Sequence, residues 1–366
     1  MFATALVTLS ALLPAQAFEP RISLKQLNQI LSDAKSKHKV PGMAAAVVTS
    51  RGVHALTWIG TRKAGTPSPI MQNDLWHLGS DTKAFTATLL GVLHDQGKID
   101  WDAKFVDLFP KIKSSIREEY KDMTLSHALR HRSGLPSNLK DWWIIPTTGP
   151  LMQQRMQALK RGLALEPAVP PGEKYSYSNL GYVLAGAAAE QAMGEDWETL
   201  MERQVFRPLG IRSAGFGSPG TPGKLDQPLA HDAKGKSIEP GPRADNPPVM
   251  GPAARLHLSL GDWALFAQDH LAGARGKGKL LKPETYQKLH RVLKEETYTM
   301  GGWAYENEGG TVVLTHDGSN GGFYCSAALL PGLDLGVLVV CNQGPKAGEA
   351  AVRQAILAAL RASVGR

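Results

Sequence analysis

The stretch Trp76–Leu93, WHLGSDTKAFTATLLGVL, constrains the fold more than any other part of the chain. Past Ser80 it reads as a helix on which Ala84, Phe85, Ala87, Leu89, Leu90, Val92 and Leu93 leave no clear solvent-facing stripe, closed by Gly97. Such a helix has to be wrapped by other elements, because apolar surface on most sides is not left in water. Residues three apart share a face, so Lys83 stands beside Ser80 at the mouth of this helix. The partial positive charge of the helix start falls on the same spot, where an alkoxide or oxyanion would form. A serine N-cap followed by a solvated first-turn lysine has the same sequence, so this segment alone does not separate catalysis from capping.

With 366 residues, of which 20% are charged, the chain has the make-up of an ordinary globular protein, large enough for one large domain or two lobes. Its first segment, MFATALVTLSALLPAQA, carries no charged side chain, has an apolar run from Ala3 to Leu13, and ends in the small-x-small pattern Ala15-Gln16-Ala17. Residues 1–17 are therefore expected to be a secretory signal, atypical in lacking a basic front, which makes the protein secreted or periplasmic. The run is too short to span a membrane, and no later segment is a candidate span. The net charge of +8 suits anionic cell-envelope polymers as neighbours. Lysines and arginines are scattered rather than gathered with aromatics, so nucleic acid is not an expected partner. The two cysteines, Cys325 and Cys341, exclude a disulfide-rich scaffold and offer no zinc pattern.

Taken in order, Ile22 to Lys37 keeps a helical period, and MAAAVVTS and GVHALTWIG form a hairpin across Ser50-Arg51-Gly52. The middle is helical and looped. Thr124 caps a short helix, Leu151 to Arg161 is another, and GYVLAGAAAEQAMG a third, followed by one around Trp197 to Val205. Glycine and proline crowd Gly215 to Pro252, which reads as a structured excursion or flap beside a site. Ser259 with Asp262 resembles a capping box, and Pro283 opens a further helix. Strands are expected over Met300–Tyr305, Thr311–Thr315, Phe323–Leu330 and Leu335–Val340, before a closing helix over Glu349–Leu360. This order predicts an α/β (α+β) fold: an antiparallel sheet flanked by helices, built from 18–75 and 255–366, with a mainly helical lobe, 76–254, inserted between them.

Three islands follow one another: Ser80-Asp81-Thr82-Lys83, Tyr177-Ser178-Asn179, and His316-Asp317-Gly318-Ser319 at the end of a strand. In that order they resemble the S-x-x-K, Y-x-N and K-T-G or H-x-G motifs of the serine β-lactamase and penicillin-binding protein family, most of all its class C β-lactamase-like branch with esterases, D-aminopeptidases and DD-carboxypeptidases. His131-Arg132-Ser133-Gly134-Leu135-Pro136 and Pro171-Gly172 are similar to family text, and the resemblance covers nearly the whole chain beyond the signal. It implies a class C β-lactamase-like fold and a hydrolase that forms an acyl-enzyme on Ser80 without metal or cofactor, acting on a small ester, amide or cell-wall peptide. Lys83 or Tyr177 would be the base, and sequence leaves that choice open. Asn179 would hydrogen-bond Lys83 or a substrate amide, while a helix cap at Ser178-Asn179 explains the same residues. The Ser80 and Ser319 N–H groups would form the oxyanion hole, with Gly318 allowing close approach.

The third island departs from the β-lactamase pattern, because His316 replaces lysine and Asp317 replaces threonine. A neutral histidine and an added anion weaken the binding of a carboxylate there, which favours an esterase- or peptidase-like hydrolase. The alternatives are a β-lactamase or DD-carboxypeptidase acting on β-lactams or stem peptides, and a penicillin-binding sensor acylated without useful turnover. Asp317 facing the cleft would favour an amine-bearing substrate; facing away, it is a strand-end residue. His131, His231, His257 and His270 lack metal spacing and read as structural or surface residues. Trp142-Trp143 is expected to line the cleft. An odd-length loop across Pro331–Leu335 would set Cys325 opposite Cys341 for a disulfide; two buried thiols are the other expectation. Glu166 resembles the deacylating glutamate of class A enzymes in position only and is given no role.

Overall fold

The structure, a computed structural model, describes residues 18–365 apart from 143, 144, 146, 147, 242, 243, 309 and 310, so the expected signal segment and Trp143 lie outside the described residues. Helix α1 (Leu24–His38) begins at a capping box, in which Ser23 Oγ accepts the Gln26 N–H and Gln26 Oε1 accepts the Ser23 N–H. Strands β1 (Gly42–Thr49) and β2 (Gly52–Gly60) form the expected hairpin, with a register irregularity at Val47/Val48. Then come α2 (Thr82–Asp95), α3 (Leu151–Gly162), α4 (Asn179–Met193), α5 (Leu260–Ala274) and α6 (Pro283–His290). Strands β3 (Ala304–Glu308), β4 (Thr311–Ser319), β5 (Tyr324–Leu330) and β6 (Leu335–Cys341) precede α7 (Ala347–Val364).

The strands make one six-stranded sheet in the order β2-β1-β6-β5-β4-β3. Every pairing in it is antiparallel. Helices α1 and α7 cover one face, burying Leu27, Leu31, Val352 and Ala355 against Ala45, Val47, Val337 and Val339. The other face meets α5 and the large core around α2. As its composition demands, α2 is enclosed from Thr82 to Leu93. Helix α3 is tied into this region through buried Arg155, which pairs with Glu190 and Glu198.

Several expectations need correction. The cysteines do not face one another: the four-residue connection 331–334 pairs Cys325 with Val340 and Cys341 with Tyr324. One residue of register puts the two thiols on opposite faces of the sheet, and both are free and buried. Trp142 is buried in the core rather than cleft-lining. No strand runs over Met300–Tyr305; Thr299 N–H bonds to the Trp303 carbonyl and Gly301 N–H to Leu289 at the end of α6, so the ladder starts only at Ala304. Ser259 does cap α5, but Asp262 turns its carboxylate to the N–H groups of Arg212 and Ser213 instead of completing a box. The glycine- and proline-rich excursion carries short strands at Ala230–His231 and Ser237–Ile238, and His231 N–H bonds to the Gly322 carbonyl beside the end of β4.

Candidate active site

Ser80 lies in a 3₁₀ turn, Gly79–Asp81, that leads into α2. The turn is anchored from both sides. Leu78 N–H donates to the Leu256 carbonyl at 2.8 Å, and Thr82 Oγ1 donates to the Gly79 carbonyl at 2.6 Å while accepting the Leu256 N–H at 3.1 Å. Lys83, one turn on, has its Nζ 3.0 Å from Ser80 Oγ, 2.8 Å from Asn179 Oδ1 and 2.9 Å from the Ala253 carbonyl. Tyr177 closes the constellation by donating its hydroxyl to Ser80 Oγ at 2.7 Å.

Tyr177 and Asn179 are delivered together. Ser178 caps α4, accepting the Gly181 N–H at 3.0 Å and donating to the Pro136 carbonyl at 2.7 Å. Asn179 in turn donates through Nδ2 to Asn138 Oδ1 at 3.0 Å, which turns its Oδ1 toward Lys83. The capping and lysine-binding readings of Ser178-Asn179 are thus both realised, on neighbouring residues. His131, with its backbone in the left-handed region at φ 58, is a structural histidine beneath the segment that carries Tyr177. Its carbonyl accepts the Ser176 N–H, its Nδ1 accepts the Ser178 N–H, and its ring lies 4.4 Å from that of Tyr177.

Burial sets the protonation pattern. Desolvation pushes the Lys83 amine well below its usual value, against the pull of Asp81. It also pushes the Asp81 carboxyl up, against the hydrogen bond from Cys325. The Tyr177 phenol is pushed up by burial, although its bond to Ser80 works the other way. Lysine and tyrosine are both held toward their neutral forms, with Lys83 Nζ 4.7 Å from the centre of the Tyr177 ring.

Strand β4 forms the opposite wall. Its pairing with β3 ends at Thr315, so 316–319 continue past the partner strand. The Gly318 and Ser319 backbone presses on the Ser80 turn: a Cβ on Gly318 would meet the Leu78 carbonyl at 1.9 Å. His316 is fully engaged. Its Nδ1 is 2.8 Å from the Asp317 carbonyl and its Nε2 is 3.0 Å from the Tyr298 hydroxyl. A carbonyl only accepts, so the ring proton sits on Nδ1 and Nε2 accepts from Tyr298. Burial, reinforced by Lys83, brings the His316 pKa down to about 4. The Asp317 Oδ2 accepts from Tyr324, at the start of β5, at 3.0 Å and lies 3.2 Å from Arg353 Nη2 on α7. Beside this edge opens a cavity of about 430 Å³ lined by Tyr175, Tyr177, Tyr298, His316, Asp317 and Arg353 among others.

Ser80, Lys83, Tyr177, Asn179, His316, Gly318 and Ser319, far apart in sequence, therefore converge. Residues 27–361 match the family model described as Beta-lactamase. The chain belongs to the Beta-lactamase family. This β-lactamase-family protein is accordingly a serine hydrolase of the α/β class. It is 26% identical over 322 residues to "Penicillin-binding protein 4" of Amycolatopsis lactamdurans, covering 85% of this chain and 83% of that one. It is also 26% identical over 352 residues to the unguisins hydrolase ungD of Aspergillus violaceofuscus, covering 83% of this chain but 58% of the relative's length. A class C β-lactamase from Rhodobacter sphaeroides has the same fold, with a TM-score of 0.73 at 19% identity over 92% of this chain and 99% of that one.

Sequence reasoning missed Tyr298, which lies in the irregular segment between α6 and β3, and the Ala253 carbonyl, which no side-chain pattern announces. Among the described residues no cluster of histidine, cysteine, aspartate or glutamate is built to hold a metal ion, and no helix is long and apolar enough to cross a membrane.

Proposed function

We propose that this protein is an exported hydrolase that opens an ester or amide bond through an acyl-enzyme on Ser80, on substrates that need no carboxylate anchor beside His316. Export rests on the small-x-small pattern that ends at Ala17. Hydrogen-bond accounting supports Lys83 as the base. Asn179 Oδ1 and the Ala253 carbonyl are acceptors, so a neutral Lys83 gives them its two protons and keeps its lone pair for the Ser80 hydroxyl. Ser80 Oγ then loses its proton to Lys83 as it bonds to the substrate carbonyl carbon, and the N–H groups of Ser80 and Ser319 receive the oxyanion. Collapse breaks the bond to the leaving group, which takes the Tyr177 proton. A water attacks the acyl carbon and gives its proton to the Tyr177 oxygen; the Lys83 proton returns to Ser80 Oγ as the acid departs.

Names among the relatives range from a penicillin-binding protein to an unguisins hydrolase, so family membership alone does not choose a substrate. The observation that carries the reading is His316 with both ring nitrogens occupied and no charge to offer. The test is turnover of p-nitrophenyl acetate and butyrate, a D-amino-acid anilide, a chromogenic cephalosporin and a D-alanyl-D-alanine peptide, with a fluorophosphonate label mapped by mass spectrometry. Turnover of the carboxylate-free substrates, and a label on Ser80, is expected. Faster turnover of the cephalosporin or the D-alanyl peptide would reverse the substrate assignment, and labelling without any turnover would make the protein a binding protein.

Tyr298 is expected to enforce that preference. In Tyr298→Phe the His316 Nε2 loses its donor, which eases protonation of the ring, while the burial and Lys83 that bring its pKa down stay in place. A carboxylate-bearing substrate should then gain more in kcat/KM at pH 5.5 than at pH 8, with about tenfold as the ceiling for a fully charged ring, since a hydrogen bond to a charged group is worth about 1.5 kcal/mol or more. An equal change at both pH values would count against this role for the tyrosine.

A further inference from the structure

We propose that Asp245, from the excursion between Gly215 and Pro252, is a positioning residue that sets the separation of the two turns bearing the Ser80 and Ser319 amides. It rests on the reading of those amides as the oxyanion site. Asp245 has a side chain only 2% exposed, yet it lies on neither turn. Its Oδ1 is 3.0 Å from His77 Nε2, with a bent approach, and accepts from Asn320 Nδ2 at 3.2 Å. Its Oδ2 is 3.3 Å from Arg255 Nε.

Each of the first two contacts leads to one turn. On the nucleophile side, His77 Nδ1 accepts the Gly79 N–H at 3.0 Å, so the ring proton is on Nε2, facing Asp245, and the ring holds the residue before Ser80. On the strand side, Asn320 follows Ser319 directly. Its Oδ1 accepts the N–H groups of Gly322 and Phe323 at 3.2 and 3.0 Å, which fixes the amide and leaves Nδ2 for the carboxylate. The two turns touch: a Cβ on Gly79 would lie 2.3 Å from Ser319 N. One oxygen atom thus reaches the supports of two abutting turns.

Burial opposes the charge on Asp245, but His77 and Arg255 outweigh it and hold the carboxyl below its ordinary range, so the tie stays anionic at neutral pH. Arg255 alone would satisfy a carboxylate serving only to close the excursion. The additional approach to His77 and Asn320 is what the oxyanion geometry needs, because a misplacement near 1 Å costs about 10²-fold in rate.

The test exchanges donor and acceptor. Asn320→Asp keeps the oxygen that receives the Gly322 and Phe323 amides but sets a second carboxylate against Asp245. Its kcat on p-nitrophenyl butyrate, per Ser80 site titrated with fluorophosphonate, should fall about 10²-fold with KM changed less than threefold. Asp245→Asn alone, a neutral isostere, should lose about tenfold. The double variant Asp245→Asn with Asn320→Asp restores a donor facing an acceptor and should recover to within tenfold of the parent. Normalising to titrated sites removes any fraction that fails to fold. If either single variant keeps the parental kcat, or the double variant is no better than Asn320→Asp, Asp245 has no positioning role. Ser80→Ala serves as the separate control: turnover surviving there removes the Ser80 reading itself, whereas a dead Ser80→Ala beside unaffected Asp245 and Asn320 variants removes this inference alone.

Discussion

Lys83→Met should fold and should lose about 10³–10⁴-fold in kcat/KM on the best ester, the scale on which a positioned base acts. Methionine fills the volume of the lysine stem inside a side chain that is completely buried, so packing around α2 is kept while the lone pair facing Ser80 disappears. Ser80→Ala should fall at least as far, since the residues of such a unit do not contribute additively. Tyr177→Phe should lose less in acylation, because the phenol is held protonated and donates to Ser80 Oγ rather than accepting from it. The pH profile supplies the sign. Lys83 acts only when unprotonated, so kcat/KM should rise with pH as the amine loses its proton, and reach its plateau well below the ordinary lysine value because burial pushes that pKa down. Lys83→Met should lack this limb. A Lys83→Met protein within tenfold of the parent, alongside a Tyr177→Phe protein that is dead, would transfer the base role to Tyr177.

The parts of the site that were legible in the sequence are those written in side-chain type. A serine and a lysine one helical turn apart, a tyrosine two before an asparagine, and a histidine two before a glycine are chemical statements wherever the chain carries them. The enclosure of α2 was equally legible, because a helix apolar on most sides permits few environments. What could not be read depends on register or on the main chain. The Ala253 carbonyl that orients Lys83 is the same in every residue. The pairing of Cys325 and Cys341 turned on one residue of turn length, and the connection 331–334 ends with Asp334 in the left-handed region, setting an even loop where an odd one was needed. Trp142 sits in a stretch rich in turn residues, which says loop but not whether the indole points in or out. Tyr298 is held by the way its segment docks: Glu296 pairs with Arg132 at 2.9 Å, fastening the stretch after α6 to the loop that carries His131. Neither partner's sequence neighbourhood announces the other.

Mild acid should destabilise this protein steeply. His257, His290 and His316 are buried neutral, each with its pKa brought down to about 4 by burial, and His131 and His270 are displaced in the same direction. In the unfolded chain each would titrate near 6.5. Below that value the unfolded state binds protons that the native state refuses, so stability falls as pH falls, and the loss continues until the folded pKa is reached. At pH 5 a histidine with those two values costs about 2 kcal/mol relative to neutral pH. The buried acids Asp81, Glu190 and Asp269 work the other way. Their raised pKa values let the native state bind protons first, but that benefit is confined to pH below their folded values and is shared by fewer groups. The expected result is a Tm that drops by about 10 °C or more between pH 7 and pH 5, at 2–4 °C per kcal/mol. His316→Gln should flatten the slope, because it retains a polar group for Tyr298 and the Asp317 carbonyl without a site to titrate. A Tm that is level from pH 7 to pH 5 would mean that the histidines are not held neutral. The burial of His316 would then no longer explain a site without a cation.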